Sequence, residues 1–138
     1  MLTQKEKNSP QSLHFFIPNE AKSSSFVRHS ISTLAQKYKI SPQSLSDLLL
    51  VVGEAFANAV EHSKTEEPIE VQAKIEDNTI VVNIRDQGIG FIKKDQNKEI
   101  DVLDERGRGL GLISLLTLSC QIVSAHGYGT HITIISAL

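Results

Sequence analysis

The chain has 138 residues, 40% of them hydrophobic and 22% charged, with a net charge of −2 and one cysteine. That is enough for one domain with a sizeable core and too little for two. The balance leaves no basic stripe for nucleic acid as the main partner, no run of about 18 apolar residues for a membrane span, and no cysteine pair for a disulfide or a cysteine-based zinc site.

Met1 to Pro10 is polar and lacks an apolar signal core. It predicts a disordered extension ahead of a single domain over residues 11–138, in a cytosolic protein. Leu13 to Pro18 reads as a first strand. Asn19 is placed to cap a helix from about Glu20 to Tyr38, with Phe26, Val27, Ile31 and Leu34 as its core stripe. Ser41-Pro42 starts a second helix, with a capping serine and a proline at the first helical position, and the helix ends near Ser63. Leu45, Leu48, Leu49, Val52, Phe56 and Ala59 recur at helical steps and give it one apolar stripe.

Pro68 to Glu76 and Thr79 to Arg85 alternate as strands around the tight turn Asp77-Asn78. A polar segment without period runs from Phe91 to Arg106. Leu110 to Leu118 reads as a third helix. Gln121 to Ala125 and Thr130 to Ser136 are two more strands, joined through Gly127-Tyr128-Gly129. Cys120, at the head of the first of them, reads as a buried thiol and not a nucleophile. The order βααββαββ predicts an α+β fold: a two-layer sandwich with a mixed, mainly antiparallel sheet and helices on one face.

Glu54 and Asn58 lie four residues apart, on the side of the second helix opposite its stripe. A carboxylate below a carboxamide can hold a metal ion and a water or hydroxyl between them. Taken alone, the pair also reads as a solvated helix face. Gly53, inside the same helix, costs roughly 1 kcal/mol against alanine and marks close packing.

Five of the eight glycines fall in two clusters, Gly88/Gly90 at a strand end and Gly107/Gly109/Gly111 at a helix start. The second cluster lets backbone approach a ligand where helix N–H groups have no internal partner. With Arg106 and Arg108 it forms a candidate phosphate site. Neither the P-loop pattern nor the dinucleotide fingerprint is present. Asp86 continues the parity of Ile80, Val82 and Ile84, which puts a carboxylate at the rim of the core. There it needs a donor, such as an adenine amino group, or else it caps a turn.

Taken in order, Glu54-Ala-Phe-Ala-Asn58-Ala-Val-Glu-His62, Asp86-Gln-Gly88-Ile-Gly90-Phe91, Glu105-Arg-Gly-Arg-Gly-Leu-Gly-Leu112 and Gly129-Thr130 resemble the N box and the three glycine boxes of the GHKL (Bergerat-fold) ATPases. The form of the boxes is similar to that of the anti-sigma factor serine kinases. The resemblance implies ATP and Mg²⁺, with Asn58 holding the metal against the phosphates and Glu54 as the general base. It implies that Asp86, aided by Thr130, reads adenine, and that Gly88 and Gly90 wall the adenine and ribose. Gly107, Gly109 and Gly111 would let a lid close over the phosphates, with Arg106, Arg108 and Leu110 as further ATP contacts.

The same resemblance implies a STAS-type anti-anti-sigma protein as substrate, a sigma factor as second partner, and a homodimer, for which the first strand or first helix is the place to look for an interface. An arginine at the place of Arg28 would face the protein partner. Two other outcomes fit the same boxes: a nucleotide-gated binding module with little kinase activity, and a stressosome-type switch kinase. The segment from Phe91 to Arg106 is acidic and basic by turns. It departs from the proline- and threonine-rich lids of some family members, so contacts to the γ-phosphate do not carry over.

Overall fold

The computed structural model describes residues 11–63, 65–87, 119–125 and 129–138. The extension at residues 1–10, the polar segment and third helix expected within residues 91–118, and the turn residues Gly127 and Tyr128 lie outside them. Within the described residues the chain forms β1 (Ser12–Ile17), a short 3-10 turn (Ala21–Ser23), α1 (Ser24–Gln36), α2 (Pro42–His62), β2 (Ile69–Glu76), β3 (Thr79–Arg85), β4 (Ser119–Ala125) and β5 (Gly129–Ala137). The strands make one sheet in the order β1-β2-β3-β5-β4. All four pairings among the described residues are antiparallel.

Alternation builds the core face of the sheet. Val71, Ile84 and Ile132 stand in register across β2, β3 and β5, and so do Ala73, Val82 and Ile134. All six are buried. α1 packs over β2 and α2 over β3 and β5, so both helices close the same face. The β2–β3 hairpin turns through Asp77 (φ 50°) and Asn78 (φ 61°). Both take the left-handed conformation that Asp and Asn tolerate and that matches strand twist.

α2 begins as its sequence predicts: the Ser41 hydroxyl accepts from Ser44 N–H at 3.1 Å, with Pro42 at the first helical position. Its buried stripe is Leu48, Val51, Val52, Ala55, Phe56 and Ala59, wider than the sequence reading by Val51 and Ala55, with Leu45 and Leu49 packed at the edge. None of the described helices is long and apolar enough to cross a membrane.

Two expectations for the first helix are corrected. Asn19 caps nothing; neither the 3-10 turn nor α1 has a side-chain cap. Its amide instead donates to the Ser63 hydroxyl and to the Thr65 carbonyl at 2.9 Å. Those bonds use the amide nitrogen and reach across the fold to the exit of α2, whereas a cap would need the amide oxygen to accept from a helix N–H. Phe26 leaves the core: it is 56% exposed and meets Phe15 edge-on, ring centroids 5.3 Å apart. Val27, Ile31 and Leu34 already define the buried face, and one residue earlier is about 100° away from it.

Candidate functional site

Asp86 follows the last residue of β3 and is completely buried. Antiparallel pairing of β3 with β5 brings Arg85 opposite His131, so Asp86 meets Thr130 at the head of β5. The Asp86 N–H donates to the Thr130 carbonyl at 3.0 Å. The Thr130 N–H in turn donates to Asp86 Oδ1 at 3.2 Å. One carboxylate oxygen is thus spent on fixing the side chain against β5. The parity that predicted a carboxylate at the core rim is the one observed.

Gly129 is what permits this approach. It has a φ of +84°, and a Cβ placed on it would lie 2.8 Å from Asp86 Oδ1, 2.9 Å from the Asp86 carbonyl carbon and closer still to the carbonyl oxygen. No side chain fits there, and an L-residue is strained at that φ in any case. The motif Gly129-Thr130 drew attention to Thr130, but the sequence offers no sign that its glycine abuts Asp86. Only the strand register brings them together.

α2 carries the other two candidate residues. It packs over β3 and β5, the strands that Asp86 and Thr130 adjoin. Glu54 and Asn58 are both half-buried, on neither the core stripe nor the fully exposed face. Asn58 Nδ2 donates to the Glu54 carbonyl at 2.8 Å. That bond fixes which way the carboxamide points and turns its oxygen, a hard donor suited to Mg²⁺, away from the helix backbone. The described residues contain no cluster of three His, Cys, Asp or Glu able to cage a metal. A single oxygen donor fits an ion held mainly by phosphates and water.

Arg28 is exposed on α1, and its stem lies over Gly53 of α2. Gly88, Gly90, Arg106, Gly107, Arg108, Gly109, Leu110 and Gly111 fall outside the described residues. Among the described residues the fold therefore joins Asp86 to Thr130 and sets Glu54 beside Asn58. Asn19 and Ser63, which sequence reasoning missed, bind the loop after β1 to the end of the helix carrying that pair.

The outer face of the sheet carries a separate polar group. Asn83 Oδ1 accepts from Thr133 Oγ1 at 2.7 Å and lies 2.8 Å from His131 Nε2. Burial and then the Arg85 charge lower the His131 pKa from its ordinary 6.5, with Glu70 opposing. These residues sit on the far side of the sheet from α2.

An antiparallel sheet covered on one face by two helices, with its one buried carboxylate among the described residues at a strand end, is the sandwich that the order of elements predicted. Residues 17–136 match the family described as histidine kinase-like ATPase domain, and the chain belongs to that family. It is similar to an anti-sigma F factor of Oceanobacillus iheyensis, 25% identical over 115 residues, covering 78% of this chain and 79% of that protein. It is also similar to a serine-protein kinase RsbW of Bacillus thuringiensis, 25% identical over 122 residues, covering 80% of this chain and 76% of that one. Among solved structures, part of a Mycobacterium tuberculosis chain comprising RsbU and RsbW domains shares the fold, with a TM-score of 0.65 and 19% identity over 91% of this chain. This chain corresponds to 32% of that longer one.

Proposed function

We propose that the chain is an ATP-dependent protein-serine kinase and anti-sigma factor. It phosphorylates a STAS-type anti-anti-sigma antagonist and sequesters a sigma factor, and its nucleotide state governs the exchange. The observation that carries this reading is Asp86: a fully buried carboxylate, held against Thr130, at a strand end. Such a group is suited to an amino group on a flat ligand. Adenine has one where guanine has a carbonyl, which would face the carboxylate unfavourably. One relative is named anti-sigma F factor and another serine-protein kinase, each aligned over about three quarters of its length, and the two names taken together support the combined role.

The remaining roles follow the chemistry of phosphoryl transfer, which needs positioning and charge neutralisation more than covalent help. Gly88 and Gly90 wall the base and sugar. Arg106, Gly107, Arg108, Gly109, Leu110 and Gly111 supply backbone and charge to the phosphates. Asn58 offers its amide oxygen to Mg²⁺, which when bound neutralises charge on the β- and γ-phosphates. Glu54 takes the proton of the attacking serine hydroxyl. That oxygen bonds to the γ-phosphorus as the bond to the bridging oxygen breaks, and ADP leaves. Arg28 faces the protein partner. The protein acts in the cytoplasm as a homodimer, and the first surface to test is β1 with α1. Among the described residues that strand is a sheet edge, and Phe16 on it and Phe26 on α1 are 57% and 56% exposed.

The test is label transfer from [γ-³²P]ATP to purified STAS-domain proteins from the same genome. Wild type labels a serine on one of them. Glu54→Gln binds ATP and transfers label roughly 10²-fold more slowly or worse. Transfer by Glu54→Gln at the wild-type rate would remove the base assignment.

A further inference from the structure

Glycine is a poor residue for the interior of a helix, and Gly53 stands mid-way along the 21-residue α2. Its surroundings give a reason for it. A Cβ placed on Gly53 would lie 3.2 Å from Arg28 Cδ and 3.8 Å from Arg28 Nε. The bare backbone of α2 is therefore the surface on which the Arg28 stem rests. An alanine there would require the stem to give by a few tenths of an ångström, and a longer side chain would compete with it for the same surface.

The head of Arg28 is in a different situation from its stem. The residue as a whole is exposed. Among the described residues it forms no ion pair, although acidic groups take part in all four of the salt bridges found there. A long cationic side chain with its stem packed and its charge in water is held without being neutralised. An arginine on open surface samples many rotamers and must lose them on binding. One that is already seated has lost much of that freedom, an advantage worth a few-fold to about tenfold in affinity. The residue after Gly53 is Glu54, so the seat lies on the helical turn that carries the proposed base.

We propose that Gly53 is a positioning residue for partner recognition: its missing side chain seats Arg28, so that a ready-placed guanidinium beside the turn of Glu54 receives a carboxylate on the protein partner. This rests on the partner-facing role of Arg28 given above. The planar guanidinium matches a carboxylate with two parallel hydrogen bonds. Docking precedes transfer, so the group it meets is an acidic side chain and not the phosphoserine that forms afterwards.

The test uses the full chain as wild type, Gly53→Ala, Gly53→Leu, Arg28→Ala and the double variant Arg28→Ala/Gly53→Ala. Alanine and leucine are better helix formers than glycine, so melting temperatures should hold or rise. The first readout needs no partner: the ¹⁵N heteronuclear NOE of the Arg28 Nε–Hε group. It should be high in wild type and fall in both Gly53 variants. The second is affinity for the STAS-domain protein that wild type labels, measured by titration. Arg28→Ala should weaken it about tenfold or more. Gly53→Ala should weaken it a few-fold to about tenfold, and the double variant should be no worse than Arg28→Ala. ATP affinity should not change.

An Arg28 NOE equal in wild type and Gly53→Leu overturns the seat. So do single effects on partner affinity that simply add. Normal partner binding by Arg28→Ala overturns the interface role of Arg28 itself, a failure distinct from the other two.

Discussion

Asp86 is buried completely at the junction of β3 and β5, whereas Glu54 lies half-buried on the flank of α2. Both are carboxylates of the candidate site, and their settings differ in kind. Asp86 exchanges hydrogen bonds with Thr130 and is pressed against a glycine that tolerates no side chain. Its position is fixed by sheet register and backbone, the stiffest parts of the fold. Among the described residues Glu54 is placed by the helix it stands on, with its own carbonyl engaged by Asn58. The residue proposed to recognise the nucleotide is thus continuous with the core. The residue proposed to act in transfer stands on the flank of a helix, where a change of charge costs the fold little.

This contrast can be broken by measuring stability and activity together. The largest effect is expected at Gly129. Gly129→Ala forces a Cβ into the Asp86 backbone at a positive φ, which should cost roughly 2–5 kcal/mol from overpacking and left-handed strain combined. Urea unfolding should show a large drop in midpoint, and ATP binding should fall with it because Asp86 moves. A stable Gly129→Ala protein would mean that the β3–β5 junction is loose.

Asn19→Ala comes next. It removes the donor that holds Ser63 and Thr65, and Ser63 is buried, so a loss of about 1–3 kcal/mol is expected. Hydrogen exchange should quicken first at the end of α2. If the loss appeared instead at the start of α1, Asn19 would be acting as a helix cap after all. Glu54→Gln should then change stability by no more than about 0.5 kcal/mol while abolishing transfer. A large loss of stability there would erase the distinction between the two carboxylates.

The smallest effect is one of pH, and it lies away from the site. Burial and Arg85 depress the His131 pKa in the folded protein. The unfolded chain therefore binds the proton more readily, and stability present above about pH 6.5 is lost as pH falls below it. His131→Gln should flatten the acid side of the stability profile slightly and leave ATP affinity unchanged. A steeper loss in the variant would reverse the sign.

Periodicity made α2 and the β2–β3 hairpin legible residue by residue, because a serine cap, a proline and two left-handed turn residues are local signals. The burial of Asp86 was legible too, since alternation along β3 carries one residue past its end. What could not be read depends on pairs distant in sequence. Asn19 looks like a cap until α2 returns Ser63 to it, 44 residues later. Gly129 looks like a turn glycine until β5 pairs with β3 and meets Asp86. Phe26 looks like core because two adjacent apolar residues cannot be ranked until α1 is docked. Gly53 was legible as a mark of close packing, but its neighbour Arg28 belongs to another helix.

The most direct test of the division between recognition and transfer is calorimetric titration of ATP in Mg²⁺ into folded wild type, Asp86→Asn and Glu54→Gln, with circular dichroism to establish folding. Asp86→Asn turns an acceptor toward a donor and should lose ATP affinity by roughly tenfold or more. Glu54→Gln should bind ATP within about threefold of wild type, since the role proposed for Glu54 begins only at proton transfer. Folded Asp86→Asn that bound ATP as tightly as wild type would contradict the account.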